Sequence, residues 1–340
     1  MAESSKKRTL DAFFKPPPKK VKLSDANEPP SENQEPQVEE QVLYSKHSTY
    51  PFSISNFPSS ITKNLSSFPS TIGKVINDQP DLDLVYYQPY IPKYLERQTF
   101  EFLRSQLPFY RVRYTIKRGG VETEINTPRY TTVFGLDETS KFCSSSTQIV
   151  DVKTSLPILK DKNYLKHPPR PLPQCLNALR LSTEAATGCT FNFCLVNYYS
   201  SGADSISYHS DDEKFLGKEP AIASFSLGAK RDFLMKHKPV ALDDNKSPPI
   251  ETKLIKLPLG SGDMILMKGR TQANWLHSIP KRTGKHADDG GRINITFRKA
   301  LVRAGTENYY NYNVGTGIVY KWDERAREMK PWKSSFGRDV

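Results

Sequence analysis

The chain has 340 residues, a formal net charge of +12 and a hydrophobic content of only 36%. The charge favours a polyanionic partner, and the low apolar content indicates that part of the chain does not fold. The four cysteines have no C-x-x-C spacing, which argues against a zinc cluster and a disulfide framework. No apolar run approaches the roughly 18 residues of a membrane span, so we expect a soluble intracellular protein.

Residues 1–75 are predicted to be a disordered arm. They are rich in Pro, Ser, Lys, Glu, Asn and Gln, which cannot bury enough apolar surface to offset the entropy lost on ordering. The basic cluster KPPPKKVKL at 15–23 is typical of a nuclear import signal or a tether for nucleic acid. The alternative is a solubilising run of charge, and we expect a nuclear protein.

A second motif of the arm is KRTLDAFF at 7–14, where Leu10, Phe13 and Phe14 form a small apolar plug suited to a pocket on a partner. The motif resembles the box by which replication and repair proteins bind the sliding clamp (PCNA). It departs from that box at Lys7, where Gln is usual. The alternative interpretation is a stray apolar patch.

Residues 76–340 are predicted to form the ordered domain, beginning with a helix over 91–107 that has apolar residues at helical spacing. Short apolar or alternating runs then predict strands at 191–199, 221–228, 231–238, 251–259, 263–269, 274–280 and 292–300. Many short strands separated by Gly, Pro and Asp favour a mainly β fold with flanking helices, arranged as a sandwich or jelly roll and not as a parallel α/β sheet.

Candidate metal ligands lie in the strand region. His209 and Asp211 form an H-x-D pattern, and in a strand their side chains project from the same face. The pattern is weak alone, and a third ligand must come from another strand, for which His277 is the best candidate. Two histidines and one carboxylate make the facial triad of non-haem Fe(II) oxygenases.

The strand RINITFR places Arg292, Asn294, Thr296 and Arg298 on one face. If that face is buried, the two arginines need an anionic partner, because buried unpaired charge is heavily penalised. The dicarboxylate 2-oxoglutarate fits, since arginine offers carboxylates bidentate hydrogen bonds. The alternative places this polar face in solvent and only the apolar residues between them in the core.

Four motifs occur in order: N-x-Y at Asn197 and Tyr199, G-x-D-x-I-x-x-H-x-D-D-E at 202–213, W-x-H-S at 275–278, and R-x-N-x-T-F-R at 292–298. Together they resemble the AlkB family of Fe(II)- and 2-oxoglutarate-dependent dealkylases, and most closely its eukaryotic nuclear DNA-repair branch. The resemblance covers about residues 90–300. It implies a double-stranded β-helix core at about 190–300 and an enzyme that removes alkyl groups from damaged bases by oxidation.

The resemblance also implies roles for individual residues. Iron is held by His209, Asp211 and His277, and 2-oxoglutarate is bound by Asn197, Tyr199, Arg292, Asn294, Thr296 and Arg298. Asp212 reads the exocyclic amine of the base, supported by Glu213. The implied reaction demethylates 1-methyladenine or 3-methylcytosine in DNA and yields formaldehyde, succinate and CO₂.

A lid that recognises the nucleotide is expected at about 109–165, where Arg129 matches a DNA-contacting arginine of the family. Tyr164 is the candidate for stacking on the base. The hairpin tip TIKRGG lacks the expected aromatic wedge, so strand invasion could depend on Ile116 or Arg118. A plain two-stranded sheet is the alternative.

Three other functions stay open. RNA could be the substrate, the protein could bind alkylated DNA without catalysis, or the scaffold could hydroxylate a protein. The ligand set argues against a pure binder, and the basic charge argues against a protein hydroxylase. We expect a monomer, and the C-terminal extension 301–340 is unassigned.

Overall fold

The computed structural model describes residues 43–143, 148–159, 165–239, 251–283, 290–301 and 317–333. None of the helices in these ranges is long and apolar enough to cross a membrane. Residues 1–42 lie outside the described ranges. They contain the clamp-like motif at 7–14, with Leu10, Phe13 and Phe14, and the basic cluster at 15–23.

Secondary structure within the described ranges is dominated by short strands. The helices are α1 (Ser59–Thr62), α2 (Lys93–Gln106), α3 (Gln174–Thr187) and α4 (Thr271–Asn274), with 3-10 turns at Leu65–Ser67 and Lys214–Leu216. The strands are β1 (Tyr44–Ser45), β2 (Ile54–Ser55), β3 (Lys74–Ile76), β4 (Leu84–Tyr87), β5 (Phe109–Tyr110), β6 (Arg113–Arg118), β7 (Val121–Asn126), β8 (Tyr130–Gly135), β9 (Ser140–Phe142), β10 (Ile149–Asp151), β11 (Phe193–Tyr199), β12 (Ile206–His209), β13 (Ile222–Gly228), β14 (Arg231–His237), β15 (Ile255–Leu259), β16 (Met264–Met267), β17 (Trp275–Ile279), β18 (Arg292–Arg298), β19 (Val319–Asp323) and β20 (Glu328–Pro331).

Two antiparallel sheets form the body of the fold. The larger has ten strands in the order β20-β19-β5-β8-β11-β18-β13-β16-β4-β3, and the smaller has four in the order β12-β17-β14-β15. The chain from β11 to β18 crosses repeatedly between the sheets, so that β11, β13, β16 and β18 lie in the larger sheet and β12, β14, β15 and β17 in the smaller. Such alternation of strands between two antiparallel sheets is typical of jelly rolls. The predicted mainly β fold with flanking helices is confirmed.

Strand β18 is buried on both faces, which explains its sequence. Its apolar residues Ile293, Ile295 and Phe297 join the core that also contains Leu103 of α2 and Leu179 of α3. Its polar residues line the space between the two sheets, where Arg292, Thr296 and Arg298 are buried and Asn294 is partly buried. The alternative that placed the polar face of this strand in solvent is therefore wrong.

Helix α2 confirms the prediction of a helix over 91–107, with ends at Lys93 and Gln106. Helix α3 was not predicted, although its sequence carries a helical pattern. Leu176, Leu179 and Thr183 recur at helical spacing and are buried, and Gly188 ends the helix with a left-handed backbone. The two helices cover the larger sheet and leave its opposite face for the site.

The predicted disordered arm is too long. Residues 43–75 contain β1, β2, α1 and β3, and their side chains Ile54, Phe57 and Ile61 are buried in the main core. The ring of Phe57 lies 5.0 Å from that of Phe102 on α2. The prediction failed because the few apolar residues of this segment pack into a core built by distant parts of the chain, and the polar average composition of the segment concealed them.

Part of the unassigned C-terminal extension belongs to the larger sheet. Strands β19 and β20 pair with each other, and β19 also pairs with β5. The guanidinium of Arg104 on α2 lies 3.7 Å from the ring centroid of Trp322 on β19. Strand β19 therefore covers the free edge of β5, the strand that precedes the β6–β7 hairpin in the chain.

Candidate active site

The three predicted metal ligands meet between the sheets. His209 ends β12, and His277 lies opposite it on β17 as its cross-strand partner. The register shifts between Ile206 and His209, as in a β-bulge, which turns the end of the strand. Asp211 was predicted to share a strand face with His209 but lies in the loop that follows the strand. One ligand atom from each of the three residues nevertheless lies within 4.8 Å of the others.

The donor set fits a non-haem Fe(II) ion. Each of the two carboxylate oxygens of Asp211 lies 3.8 Å from an Nε2 atom, Oδ1 from that of His209 and Oδ2 from that of His277. The two imidazole rings lie 4.3 Å apart between centroids. Two imidazole nitrogens and one carboxylate on one side of a site leave the other side open, as in the facial triad.

The protonation states also suit a cation. Burial lowers the pKa of His277 to about 3, so its imidazole is neutral near pH 7 and its lone pair is available. Burial acts to raise the pKa of Asp211, but the charge of Arg298 holds that pKa below its usual value. The Arg298 Nη2 atom lies 3.0 Å from Asp211 Oδ1. Asp211 is therefore an anion that faces the neutral imidazole of His277.

A cavity of about 310 Å³ lies beside this cluster. Its floor is the larger sheet, where Asn197 pairs with Asn294 and Tyr199 pairs with Arg292 across β11 and β18. Its roof is the smaller sheet, which contributes the two histidines. All six predicted 2-oxoglutarate residues line it: Asn197, Tyr199, Arg292, Asn294, Thr296 and Arg298.

The two arginines of the floor are fixed differently. Arg292 donates from Nη2 to Ser226 Oγ at 2.8 Å, and its guanidinium lies 5.4 Å from the Tyr199 ring centroid. Arg298 contacts Asp211 and also Glu213, whose Oε1 lies 3.4 Å from Nη1. Both arginines are almost fully buried. A dicarboxylate would place a carboxylate near each guanidinium, which can bind it through two hydrogen bonds.

The floor also includes hydrogen bonds that hold the neutral residues. Thr131 Oγ1 donates to Asn197 Oδ1 at 2.8 Å, and Asn294 Nδ2 donates to Ser224 Oγ at 2.9 Å and to a backbone carbonyl. Thr296 Oγ1 donates to the backbone oxygen of Leu195 at 3.1 Å. These bonds orient the amides before any ligand binds.

The two acidic residues predicted to read the base are separated. Glu213 lines the cavity, whereas Asp212 is not among the lining residues. The Asp212 carboxylate is half exposed and accepts a hydrogen bond of 2.9 Å from Lys238 Nζ. Burial opposes ionisation of Asp212, but this contact helps to hold its pKa below the usual value. Glu213 is thus placed nearer to a bound ligand, and the base-reading role of Asp212 stays a prediction.

Of the expected lid, the structure shows the β6–β7 hairpin and one predicted contact residue. Arg129 lines the cavity, and its Nε atom is buried without a hydrogen-bond partner among the described residues. Tyr164 lies outside the described residues. The side chains of Ile116 and Arg118 are outside them as well, so the wedge stays unassigned.

Several residues in or next to the site were not predicted from the sequence. Phe233 on β14 stacks on the His277 ring at 5.2 Å between centroids, and Met267 on β16 also lines the cavity. Gln272 on α4 is buried and contacts Asp211. The alternation of RDFLM could have indicated Phe233, because residues of like parity share a strand face. Nothing in the local pattern indicates Gln272.

The sequence profile described as "2OG-Fe(II) oxygenase superfamily" matches residues 83–298, which include all the ligands described above. The chain belongs to this superfamily. The predicted cofactors, Fe(II) and 2-oxoglutarate, and the predicted class of enzyme are those of the superfamily.

Relatives of known name are similar to part of the chain. "DNA oxidative demethylase ALKBH2" of Homo sapiens is 40% identical over 134 residues, which are 39% of this chain and 49% of that protein. "Alpha-ketoglutarate-dependent dioxygenase alkB homolog 3" of Homo sapiens is 42% identical over 123 residues, 36% of this chain and 41% of that protein. The chain therefore spans about half of these relatives or less. A solved structure, "The structure of OsALKBH1", covers 66% of this chain and all of its own, with 17% identity and a TM-score of 0.36.

Proposed function

We propose that the protein is a DNA-repair enzyme that removes methyl groups from 1-methyladenine and 3-methylcytosine in DNA by oxidation. The observation that carries this proposal is the cavity in which the His209–Asp211–His277 cluster faces Arg292 and Arg298. The name of one similar human protein, "DNA oxidative demethylase ALKBH2", supports DNA as the substrate.

The residues of the cavity divide into two groups. His209, Asp211 and His277 would hold Fe(II), and Arg292 and Arg298 would hold the carboxylates of 2-oxoglutarate. Asn197, Tyr199, Asn294 and Thr296 would complete the polar contacts of the cosubstrate. When bound, iron and 2-oxoglutarate would supply, together with O₂, the oxidising chemistry that hydroxylates the N-methyl group; one oxygen atom would enter the methyl group and the other succinate, with release of CO₂. The hydroxymethyl group then leaves the ring nitrogen as formaldehyde.

The acidic side chains suit the charge of the substrate. Methylation of the ring nitrogen gives the base a positive charge, and the carboxylate of Glu213 at the cavity attracts it. Asp212 would accept a hydrogen bond from the exocyclic amine once its contact with Lys238 is exchanged for the base. Arg129 would contact the phosphate backbone or the extruded nucleotide.

We further propose that the arm directs the enzyme to its substrate. The basic cluster at 15–23 would serve nuclear import, and Leu10, Phe13 and Phe14 would bind the sliding clamp. The composition of these residues supports both roles. The catalytic unit would act as a monomer.

A substrate panel tests the proposed function. Purified protein with Fe(II), 2-oxoglutarate and ascorbate is offered 1-methyladenine in single-stranded DNA, duplex DNA and RNA, and the restored base is measured by mass spectrometry. We expect repair of DNA and none by His209→Ala. Repair of RNA alone would favour the RNA demethylase, and binding of alkylated DNA without repair would favour the non-catalytic alternative.

A further inference from the structure

The loop that carries the metal-binding carboxylate lacks the support of a strand. Strand β12 ends at His209, and Asp211 lies beyond its last paired residue. A backbone N–H buried in such a loop needs a partner, because an unsatisfied donor costs about 1–3 kcal/mol. That partner is a side chain: Asp211 N donates to Gln272 Oε1 at 2.9 Å.

Both polar atoms of the Gln272 amide, Oε1 and Nε2, form hydrogen bonds. It is almost fully buried on the short helix α4, and its Nε2 donates to Met267 Sδ at 3.1 Å. The preceding Thr271 ties the helix to the start of β4, since its Oγ1 accepts a hydrogen bond of 2.9 Å from Asp83 N. The Gln272 amide, which accepts the hydrogen bond from Asp211, is therefore fixed in place by its bond to Met267 and by the attachment of α4 to β4.

The backbone of Gln272 holds the next residue of the same loop. Lys238 Nζ donates to the carbonyl oxygen of Gln272 at 3.3 Å and to the Asp212 carboxylate at 2.9 Å. Two consecutive acidic residues are thus fixed to one residue of α4, Asp211 directly and Asp212 through a lysine.

Helix α4 also runs directly into β17, the strand of His277. The same short segment therefore controls where Asp211 and His277 lie relative to each other. We propose that Gln272 is a positioning residue of the metal centre, which sets the backbone of Asp211 so that its carboxylate meets the two imidazoles. This inference rests on the proposed iron site.

Side chains that orient metal ligands change metal affinity by about 10–100-fold when they are replaced. A purely structural residue would lower stability and leave the affinity of the folded protein for metal unchanged. Metal binding therefore separates the two roles, and it needs no turnover.

The test is a titration of the metal-free full-length protein with Mn²⁺ by calorimetry. Gln272→Met keeps the length of the side chain and removes the acceptor, and Gln272→Asn keeps an amide that is too short to reach Asp211. Asn274→Ala on the same helix is the control, because within the described part of the chain its Nδ2 bonds to the carbonyl oxygen of Arg270 and not to the loop of Asp211. Circular dichroism checks folding, and the Co²⁺ absorption spectrum reports the ligand geometry.

We expect both Gln272 variants to bind Mn²⁺ about 10–100-fold more weakly and to change the Co²⁺ spectrum, with Asn274→Ala unchanged. If one of the two Gln272 variants does not fold, the metal affinity of the other variant tests the inference. Affinity and spectrum equal to wild type in a folded variant, or loss of folding in both, would overturn the inference. Failure of the wild-type protein to bind Mn²⁺ would instead overturn the proposed metal site, and the inference with it.

Discussion

Arg292→Lys should weaken the binding of 2-oxoglutarate while the metal cluster stays intact. Arg292 is 1% exposed and contacts Ser226 and Tyr199 on neighbouring strands, so its guanidinium is held in place before the ligand arrives. Lysine keeps the positive charge but replaces a planar fork with a single point of contact. The variant therefore removes bidentate geometry more than charge.

The size of the effect follows from the bond that is lost. A hydrogen bond to a charged group contributes about 1.5–3 kcal/mol, and about 1.4 kcal/mol is a factor of ten in affinity. Loss of one such bond to the cosubstrate should raise the dissociation constant of 2-oxoglutarate by about 10–100-fold. The affinity for Mn²⁺ alone should not change, since Arg292 makes no contact with the cluster among the described hydrogen bonds and ion pairs.

The assay is calorimetry of 2-oxoglutarate binding to the Mn²⁺-loaded protein, without oxygen. Arg231→Lys is a matched control: Arg231 is also 1% exposed, but it donates to the carbonyl oxygens of Asp204 and Pro280 and does not line the cavity. We expect this control to lower stability and to leave 2-oxoglutarate affinity unchanged. An unchanged dissociation constant in Arg292→Lys would refute the assignment of the floor as the cosubstrate site.

Three further predictions concern other parts of the molecule. Trp322→Ala should destabilise the protein by roughly 2–3 kcal/mol in urea unfolding, because it removes packing and the contact with Arg104; no change would show that the C-terminal hairpin does not support α2. The metal-free protein should lose stability as the pH falls below 6.5, since the unfolded chain binds a proton at His277 that the folded chain excludes. From pH 6.5 to 4.5 this contributes at most about 2.7 kcal/mol, and His277→Gln should flatten the profile. The double variant Phe13→Ala, Phe14→Ala should weaken capture of the protein by the sliding clamp without changing turnover on free oligonucleotides. Equal capture of the variant and the wild type would show that residues 7–14 do not bind the clamp.

Strands β11 and β13 to β18 and helix α2 could be predicted because their own residues alternate or recur in the pattern that their burial imposes. The predicted strands at 221–228 and 292–300 correspond to β13 (Ile222–Gly228) and β18 (Arg292–Arg298), with shifts of one or two residues at one end. The segment 43–75 could not be predicted in this way, since its stability comes from contacts with distant residues such as Phe102.

The metal cluster could be predicted from types of residue and from one family resemblance, because three ligand side chains carry most of its chemistry. The position of Asp212 could not, because its environment is set by Lys238, which is 26 residues away in sequence. Gln272 was missed for the same reason: its role is a single hydrogen bond to the backbone of Asp211. Sequence spacing specifies which side chains share a face and does not specify which loops meet.

The central claim is that the cavity couples 2-oxoglutarate chemistry to repair of a methylated base. The most direct measurement follows formaldehyde and restored adenine together in one reaction of the protein with a 1-methyladenine oligonucleotide, Fe(II), 2-oxoglutarate and oxygen. We predict that the two products appear in equal amounts and that both disappear in Asp211→Ala. Restored adenine without formaldehyde, or neither product from a protein that binds Fe(II) and 2-oxoglutarate, would contradict the claim.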